Sequence, residues 1–181
     1  MSPNSQDFSS GPGPGQNPPQ SLREEIGQTR PFRSDAHEAA IALLRTASVV
    51  SREYARAVGP CGLTLPQYNV LRILRGAGSA GLPTLAIRDR MIDPGSTVTR
   101  LLDKLERADL VLRDRSRPDR RQVLCCITDA GLDLLARLDS VIDQTDEVVV
   151  ASLSTGQRRQ LVDLLGNVRG RLMERCRDAG A

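Results

Sequence analysis

Apolar residues recur at every third or fourth position in several separate stretches of this 181-residue chain, which is the period of an amphipathic helix. The first stretch covers residues 34–58, and Gly59-Pro60 ends it. A second helix is expected to begin at Thr64, because a threonine followed three residues later by Gln67 has the sequence of a capping box. Gly78 is expected to end this helix, because glycine is common just after a helix. The pattern up to this point therefore predicts two successive helices.

A turn and two further helices follow. Residues 83–91 form a short helical stretch, and Asp93-Pro94-Gly95-Ser96 has the composition of a tight turn. Residues 96–108 form a helix with one apolar side and a polar remainder. The side chains expected to face the interior are Leu85, Ala86 and Ile87 in the short helix, and Val98, Leu101, Leu102 and Leu105 in the longer one.

The pattern then predicts a β-hairpin. Leu110–Leu112 and Val123–Ile127 are short apolar strands, and residues 113–122 between them are too polar to be buried. Thr128 is placed to cap a long helix, and a second capping-box sequence at Ser154 precedes the last helix. The predicted fold class is therefore mainly α with a small β-hairpin.

Two short helices joined by a tight turn, followed by a helix with a polar outer face, form a helix-turn-helix. Such a recognition helix presents small polar and basic side chains to base edges in the major groove, while its apolar side packs on the protein. The candidate base contacts are Ser96, Thr97, Thr99 and Arg100, and Lys104 is expected to contact phosphates.

The charged loop of the hairpin is a second candidate DNA contact. Its five arginines and two aspartates, within residues 113–121, carry the same net charge of +3 as the whole chain. Arginine at a hairpin tip is attracted by the negative potential of the minor groove. The candidate contacts are Arg115, Arg117, Arg120 and Arg121, with Asp114 and Asp119 expected to hold neighbouring arginines in place. A solvated charged loop on an all-α interaction module would give the same pattern.

Composition restricts the function further. Four cysteines and one histidine show no metal-ligand spacing, and no glycine-rich phosphate loop or nucleophile–base pair is visible. We therefore expect no metal, no cofactor and no enzymatic activity. Residues 1–32 are rich in Pro, Gly and Ser and are expected to form a disordered tail. The chain has neither a long apolar run nor a signal-peptide pattern, which favours a cytoplasmic protein without membrane contact.

Three parts of the chain resemble the MarR family of bacterial transcription regulators. They are Leu63–Leu71 at the opening of the second helix, Ser96–Glu106 in the recognition helix, and Asp119–Gln122 followed by Thr128–Gly131 in the wing and return strand. The likeness extends over about residues 34–177. Asp109 departs from the family pattern, which commonly has Gly after the recognition helix. Because Asp tolerates a left-handed backbone better than most residues, we expect the same fold with Asp at this position.

The resemblance implies a winged helix-turn-helix lobe flanked by dimerisation helices. The implied domain covers residues 33–181, with the lobe at 63–129 and the dimerisation helices at 33–60 and 130–178. It also implies a homodimeric, ligand-responsive repressor on a pseudo-palindromic operator, released from double-stranded DNA by a small phenolic or aromatic effector. The candidate effector-pocket residues are His37, Arg45, Tyr68 and Arg72, although surface salt bridges would equally account for the arginines.

Two alternatives remain at the level of sequence. A thiol-based oxidant sensor on the same scaffold would use Cys61, which follows a Gly-Pro turn. No cysteine matches the position near the start of the first helix that the redox-sensing branch of the family uses. The other alternative is a protein-interaction adaptor that does not bind DNA.

Overall fold

Seven α-helices and three short strands occur in the part of the chain that the computed structural model describes, which is residues 21–93, 95, 97–114 and 123–178. These residues divide into two compact units, and the boundary between Ser48 and Val49 falls inside a continuous helix. The tail residues 1–20 lie outside the described part.

The first unit contains a one-turn helix, α1 (Leu22–Glu25). The Ser21 hydroxyl accepts from the Glu24 amide at 3.4 Å, and the Ser21 amide donates to the Glu24 carboxylate at 3.0 Å. Glu25 also forms an ion pair with Arg45 at 2.7 Å. The predicted tail to residue 32 therefore includes one ordered helical turn, Leu22–Glu25, which this capping box and ion pair stabilise.

Helix α2 (Asp35–Val58) begins and ends as the sequence predicts. The Ser34 hydroxyl accepts from the His37 amide at 3.2 Å, which is an N-cap contact. After Val58 the chain continues as a 3₁₀ turn, Gly59–Cys61, with Pro60 at a position that tolerates its missing amide hydrogen.

The remaining elements belong to the second unit. In chain order they are α3 (Leu65–Ala77), β1 (Leu82–Pro83), α4 (Thr84–Arg90), α5 (Val98–Arg107), β2 (Val111–Asp114), β3 (Leu124–Ile127), α6 (Asp129–Val149) and α7 (Thr155–Asp178). The strands form one antiparallel sheet in the order β1-β3-β2. Strand β1 was not predicted, because two residues are too short to show an alternating pattern.

The core of the second unit is built mainly from leucine. Its largest fully buried side chains are Leu71, Leu74, Ile87, Leu102, Leu105, Leu135 and Leu138. The predicted apolar side of α5 is confirmed, but Leu85 in α4 is 58% exposed. The prediction that Leu85 faces inwards is wrong, because Ile87 occupies the core and a residue two positions away lies on the other side of a helix.

A tight junction connects the end of α5 to the start of α6. Asp109 has φ of 55°, which confirms the left-handed backbone expected there. The Thr128 hydroxyl donates to the Asp109 carbonyl at 2.7 Å and accepts from the Gly131 amide at 3.1 Å. A Cβ on Gly131 would lie 2.5 Å from the Leu110 carbonyl oxygen. The Thr-x-x-Gly motif therefore combines a helix cap with a close backbone approach.

No helix within the described ranges has both the length and the hydropathy that crossing a membrane would require.

Candidate nucleic-acid interface

The turn before α5 is fixed by two side chains. The Asp93 carboxylate accepts from the Gly95 amide at 3.0 Å, a side-chain-to-backbone contact that Asp often makes in turns. Asn69 of α3, only 6% exposed, accepts from the Ile92 amide at 2.9 Å. Helix α5 begins at Val98, two residues later than predicted, and the predicted contact Ser96 lies outside the described residues.

Helix α5 separates buried and exposed side chains along its length. Val98, Leu102 and Leu105 are buried against the rest of the unit. The exposed side carries four of the predicted DNA contacts, namely Thr97, immediately before the helix, and Thr99, Arg100 and Lys104 within it. The structure thus brings these four side chains to one polar surface on a firmly packed helix.

An open groove of about 730 Å³ borders this surface, with Leu85, Thr97, Thr99 and Val123 among its lining residues. Leu85, the side chain that is 58% exposed on α4, lies in this groove. Side chains of both α4 and α5 therefore contribute to the same face of the lobe.

Arg113 differs from the expectation for the charged loop. It was placed with Asp114 in a loop too polar to be buried, but both residues belong to β2, and the Arg113 side chain is only 9% exposed. Its guanidinium lies 2.7 Å from an Asp103 carboxylate oxygen and 3.4 Å from a Glu106 oxygen. It also donates to the Thr99 carbonyl at 3.1 Å. The charge of Arg113 is therefore balanced within the protein.

The remaining predicted wing residues are not among those described. They are Arg115, Arg117, Asp119, Arg120 and Arg121. Asp114 lies opposite Leu124 at the last described pair of the β2–β3 ladder.

A second candidate site is a cavity of about 230 Å³ in the second unit. Its lining residues are Val50, Ser51, Tyr54, Leu65, Tyr68, Asn69, Arg72, Ile92 and Asp146. The Arg72 guanidinium lies 6.0 Å from the centre of the Tyr68 ring, in the range of a cation–π contact. The structure therefore brings together two of the predicted effector-pocket residues, Tyr68 and Arg72.

Tyr54 and Asp146 in this cavity were missed by the sequence analysis. The Tyr54 hydroxyl donates to the Asp146 carboxylate. Burial, as the larger cause, and this hydrogen bond, as the smaller one, raise the pKa of Tyr54 to about 12. Burial also raises the pKa of Tyr68. The signal that was available is the rarity of tyrosine, because the chain contains only two and both line the cavity.

The other two predicted pocket residues lie in the first unit. The His37 ring packs edge-on against Phe32, with ring centres 5.6 Å apart. Arg45 is the partner of Glu25 in the ion pair described above. The structure therefore gives both side chains partners within their own unit.

The described cysteines differ in accessibility. Cys61 is exposed, and its proposed redox role stays a prediction. Cys125 is buried and Cys126 half-buried, and as successive residues of β3 they point to opposite faces of the sheet. Burial raises the pKa of the Cys125 thiol, so less of it is present as the reactive thiolate at neutral pH. No group of three or more potential metal ligands occurs among the residues described.

Comparison with known proteins identifies the family. The MarR family model matches residues 63–123. The chain is 32% identical to the HTH-type transcriptional regulator TtmR of Methylorubrum extorquens over 88% of this chain and 79% of that protein. Among solved structures, a MarR transcription factor from Planctomyces limnophilus is 34% identical, with a TM-score of 0.58 over 75% of this chain and 98% of that chain.

A further solved structure is that of the MarR family protein Rv2887 from Mycobacterium tuberculosis in complex with salicylic acid. It is 28% identical, with a TM-score of 0.55 over 78% of this chain and 98% of that chain. The sequence relatives and the structural neighbours agree with the helix-turn-helix and wing strands described above. The chain therefore belongs to the MarR family and is a transcription regulator with a winged-helix fold.

Proposed function

We propose that this protein binds double-stranded DNA sequence-specifically as a homodimer and represses transcription until a small aromatic acid releases it. The observation that carries the proposal is the polar surface of α5, where Thr99, Arg100 and Lys104 are exposed while the opposite side is held in the core. This is the division that a recognition helix needs, because it must dock firmly and still reach the base edges.

Arg100 and Lys104 are expected to contribute differently to DNA binding. The guanidinium of Arg100, near the start of α5, suits bidentate bonds to guanine. Lys104 lies one turn further along and suits a phosphate contact. Sequence preference should therefore depend on Arg100, and general affinity on Lys104.

The first prediction separates these roles with duplexes that the wild-type protein selects from a random-sequence library. Arg100→Ala should reduce the preference for a selected duplex over an unrelated one by about tenfold. Lys104→Ala should weaken binding to both duplexes and lower the slope of log affinity against log salt by about 1. Arg137→Ala, which removes an exposed arginine from α6, is the control. Enrichment of no sequence by the wild type, or full preference in Arg100→Ala, would contradict the proposal.

Self-association is supported by exposed apolar side chains on the terminal helices. On α7 these include Leu161, Val168 and Leu172, which are 39%, 42% and 55% exposed. Their spacing places them along one side of the helix. Leu43 and Leu44 of α2 are likewise 40% and 70% exposed. A second copy of the chain would cover such stripes with an identical surface, as in most soluble oligomers.

The cavity beside Tyr68 supports the proposed effector class. Arg72 supplies a positive charge, two tyrosine rings supply flat apolar surface, and the Asp146 carboxylate already accepts from Tyr54. The similarity to Rv2887, solved with salicylic acid, supports an aromatic carboxylate as the ligand. We propose that its carboxylate pairs with Arg72, because a guanidinium matches a carboxylate bidentately.

The second prediction concerns salicylate binding measured by titration calorimetry. Arg72→Gln should weaken binding about tenfold or more through loss of a charge-assisted hydrogen bond. Arg75→Gln is a matched control, because Arg75 lies one turn further along α3 and pairs with Asp139 at 2.9 Å. Equal effects of the two substitutions, or no saturable binding to the wild type, would contradict the proposed site.

A further inference from the structure

Arg113 is a charged side chain that is 9% exposed, at the third position of β2 opposite Cys125. Burying a guanidinium costs free energy unless hydrogen bonds and opposite charges compensate it. Here three acceptors do so: the Asp103 and Glu106 carboxylates and the Thr99 carbonyl. All three belong to one helix, α5, so the compensation of Arg113 depends on where that helix lies.

The three acceptors lie along one side of α5. Thr99, Asp103 and Glu106 are four and then three residues apart, a spacing that places neighbouring side chains on the same helical face over two turns. A planar guanidinium has donors in a fixed fork, so it meets all three acceptors in a narrow range of helix positions. Burial of the apolar side of α5 has no such directional preference. The apolar contacts hold the helix to the core, and the three contacts of Arg113 connect the helix to strand β2.

We infer that Arg113 is a positioning residue, which sets the orientation of α5 and thereby the sequence preference of DNA binding without itself contacting DNA. The inference rests on the proposed function, in which the side chains of Thr99 and Arg100 meet base edges. Arg113 holds the backbone carbonyl of Thr99, directly beside Arg100. Small shifts of the recognition helix would misalign bidentate base contacts, which depend on geometry. Contacts to phosphates depend less on geometry, so general affinity should change less.

The test compares Arg113→Met, Arg113→Lys and Asp103→Asn with the wild type. The probes are a duplex selected by the wild type from a random library and an unrelated duplex of equal length. Arg113→Met should lose about tenfold in preference between the duplexes. Arg113→Lys keeps the charge but not the forked geometry of the donors. Its preference for the selected duplex should therefore lie between those of the wild type and Arg113→Met. The salt dependence of binding to the unrelated duplex should stay at the wild-type value, because no phosphate contact is removed.

Arg75→Met is the matched control, because it breaks the ion pair of another arginine with Asp139, at 2.9 Å, without touching α5. It should keep the full sequence preference. Retained preference in folded Arg113→Met, or a salt slope that falls as for a lost phosphate contact, would overturn the inference. If the wild type selects no sequence at all, the proposed function fails, whereas retained preference in the variant defeats only the positioning role.

A measurement without DNA covers the case in which Arg113→Met does not fold. In the folded Arg113→Lys and Asp103→Asn proteins, amide hydrogen exchange should become faster in α5 than in α3, relative to the wild type. Asp103 is 39% exposed, so its conservative replacement leaves the core intact. Unchanged protection of α5 in both variants would also overturn the inference.

Discussion

Replacing Gly131 by alanine is expected to lower the free energy of unfolding by about 3 kcal/mol. The new Cβ would lie 2.5 Å from the Leu110 carbonyl oxygen and 2.7 Å from Cγ1 of Ile127. The first of these atoms is backbone, held where Leu110 accepts a hydrogen bond from the Thr128 amide at 3.1 Å. The junction between α5 and α6 therefore has to open before a side chain can fit.

Urea unfolding at a fixed protein concentration would measure this loss, since the stability of a dimer depends on concentration. Gly76→Ala is the control, because Gly76 lies in α3 and a Cβ added there would have no neighbouring atom within 4 Å. Alanine there should leave stability unchanged or raise it by up to about 1 kcal/mol. A Gly131→Ala protein as stable as the wild type would show that the close approach is not a constraint.

Replacing Leu161 and Leu172 together by glutamate should convert the protein to a monomer and lower its affinity for a selected DNA duplex by about 100-fold or more. Both side chains are exposed in the single chain, at 39% and 55%, so the substitutions remove no core packing from the subunit. In the proposed dimer, however, they would bury two charges from each subunit in an apolar interface. A monomer engages only one half-site, and the gain from simultaneous binding of two half-sites is lost.

Sedimentation equilibrium would report the association state, and a DNA titration would report the affinity. Asn167→Glu is the control, because it adds a charge at an exposed position of α7 that the helical period places away from the leucine stripe. This variant should remain dimeric and bind as the wild type does. A double glutamate variant that stays dimeric would place the subunit contact elsewhere.

The helix boundaries could be predicted because their causes are local. Ser34, Thr64, Thr128 and Ser154 each accept from a backbone amide three residues later, so the signal lies within one turn of sequence. Leu85 could not be placed in the same way. Its neighbour Ile87 is equally apolar, and which of the two is buried depends on packing against distant elements.

The candidate site was predictable to a similar, limited extent. The spacing of the apolar residues within α5 is enough to define its polar side, so Thr99 and Arg100 were assigned correctly to the exposed surface. Arg113 was counted with the charged loop, because a count of charges does not show that Asp103 and Glu106 lie beside it. Tyr54 and Asp146 meet only through the packing of α2 and α6, which no local pattern indicates.

The order of strands in the sheet has a consequence for synthesis of the chain. The central strand β3 is the last of the three in sequence, and it pairs with both β1 and β2. Leu135 and Leu138, which complete the core, follow later still. On the ribosome, α3, α4 and α5 therefore emerge with their apolar sides uncovered. This lobe must wait for β3 and the first turns of α6 before it can close, which leaves a window in which a nascent chain is exposed to aggregation.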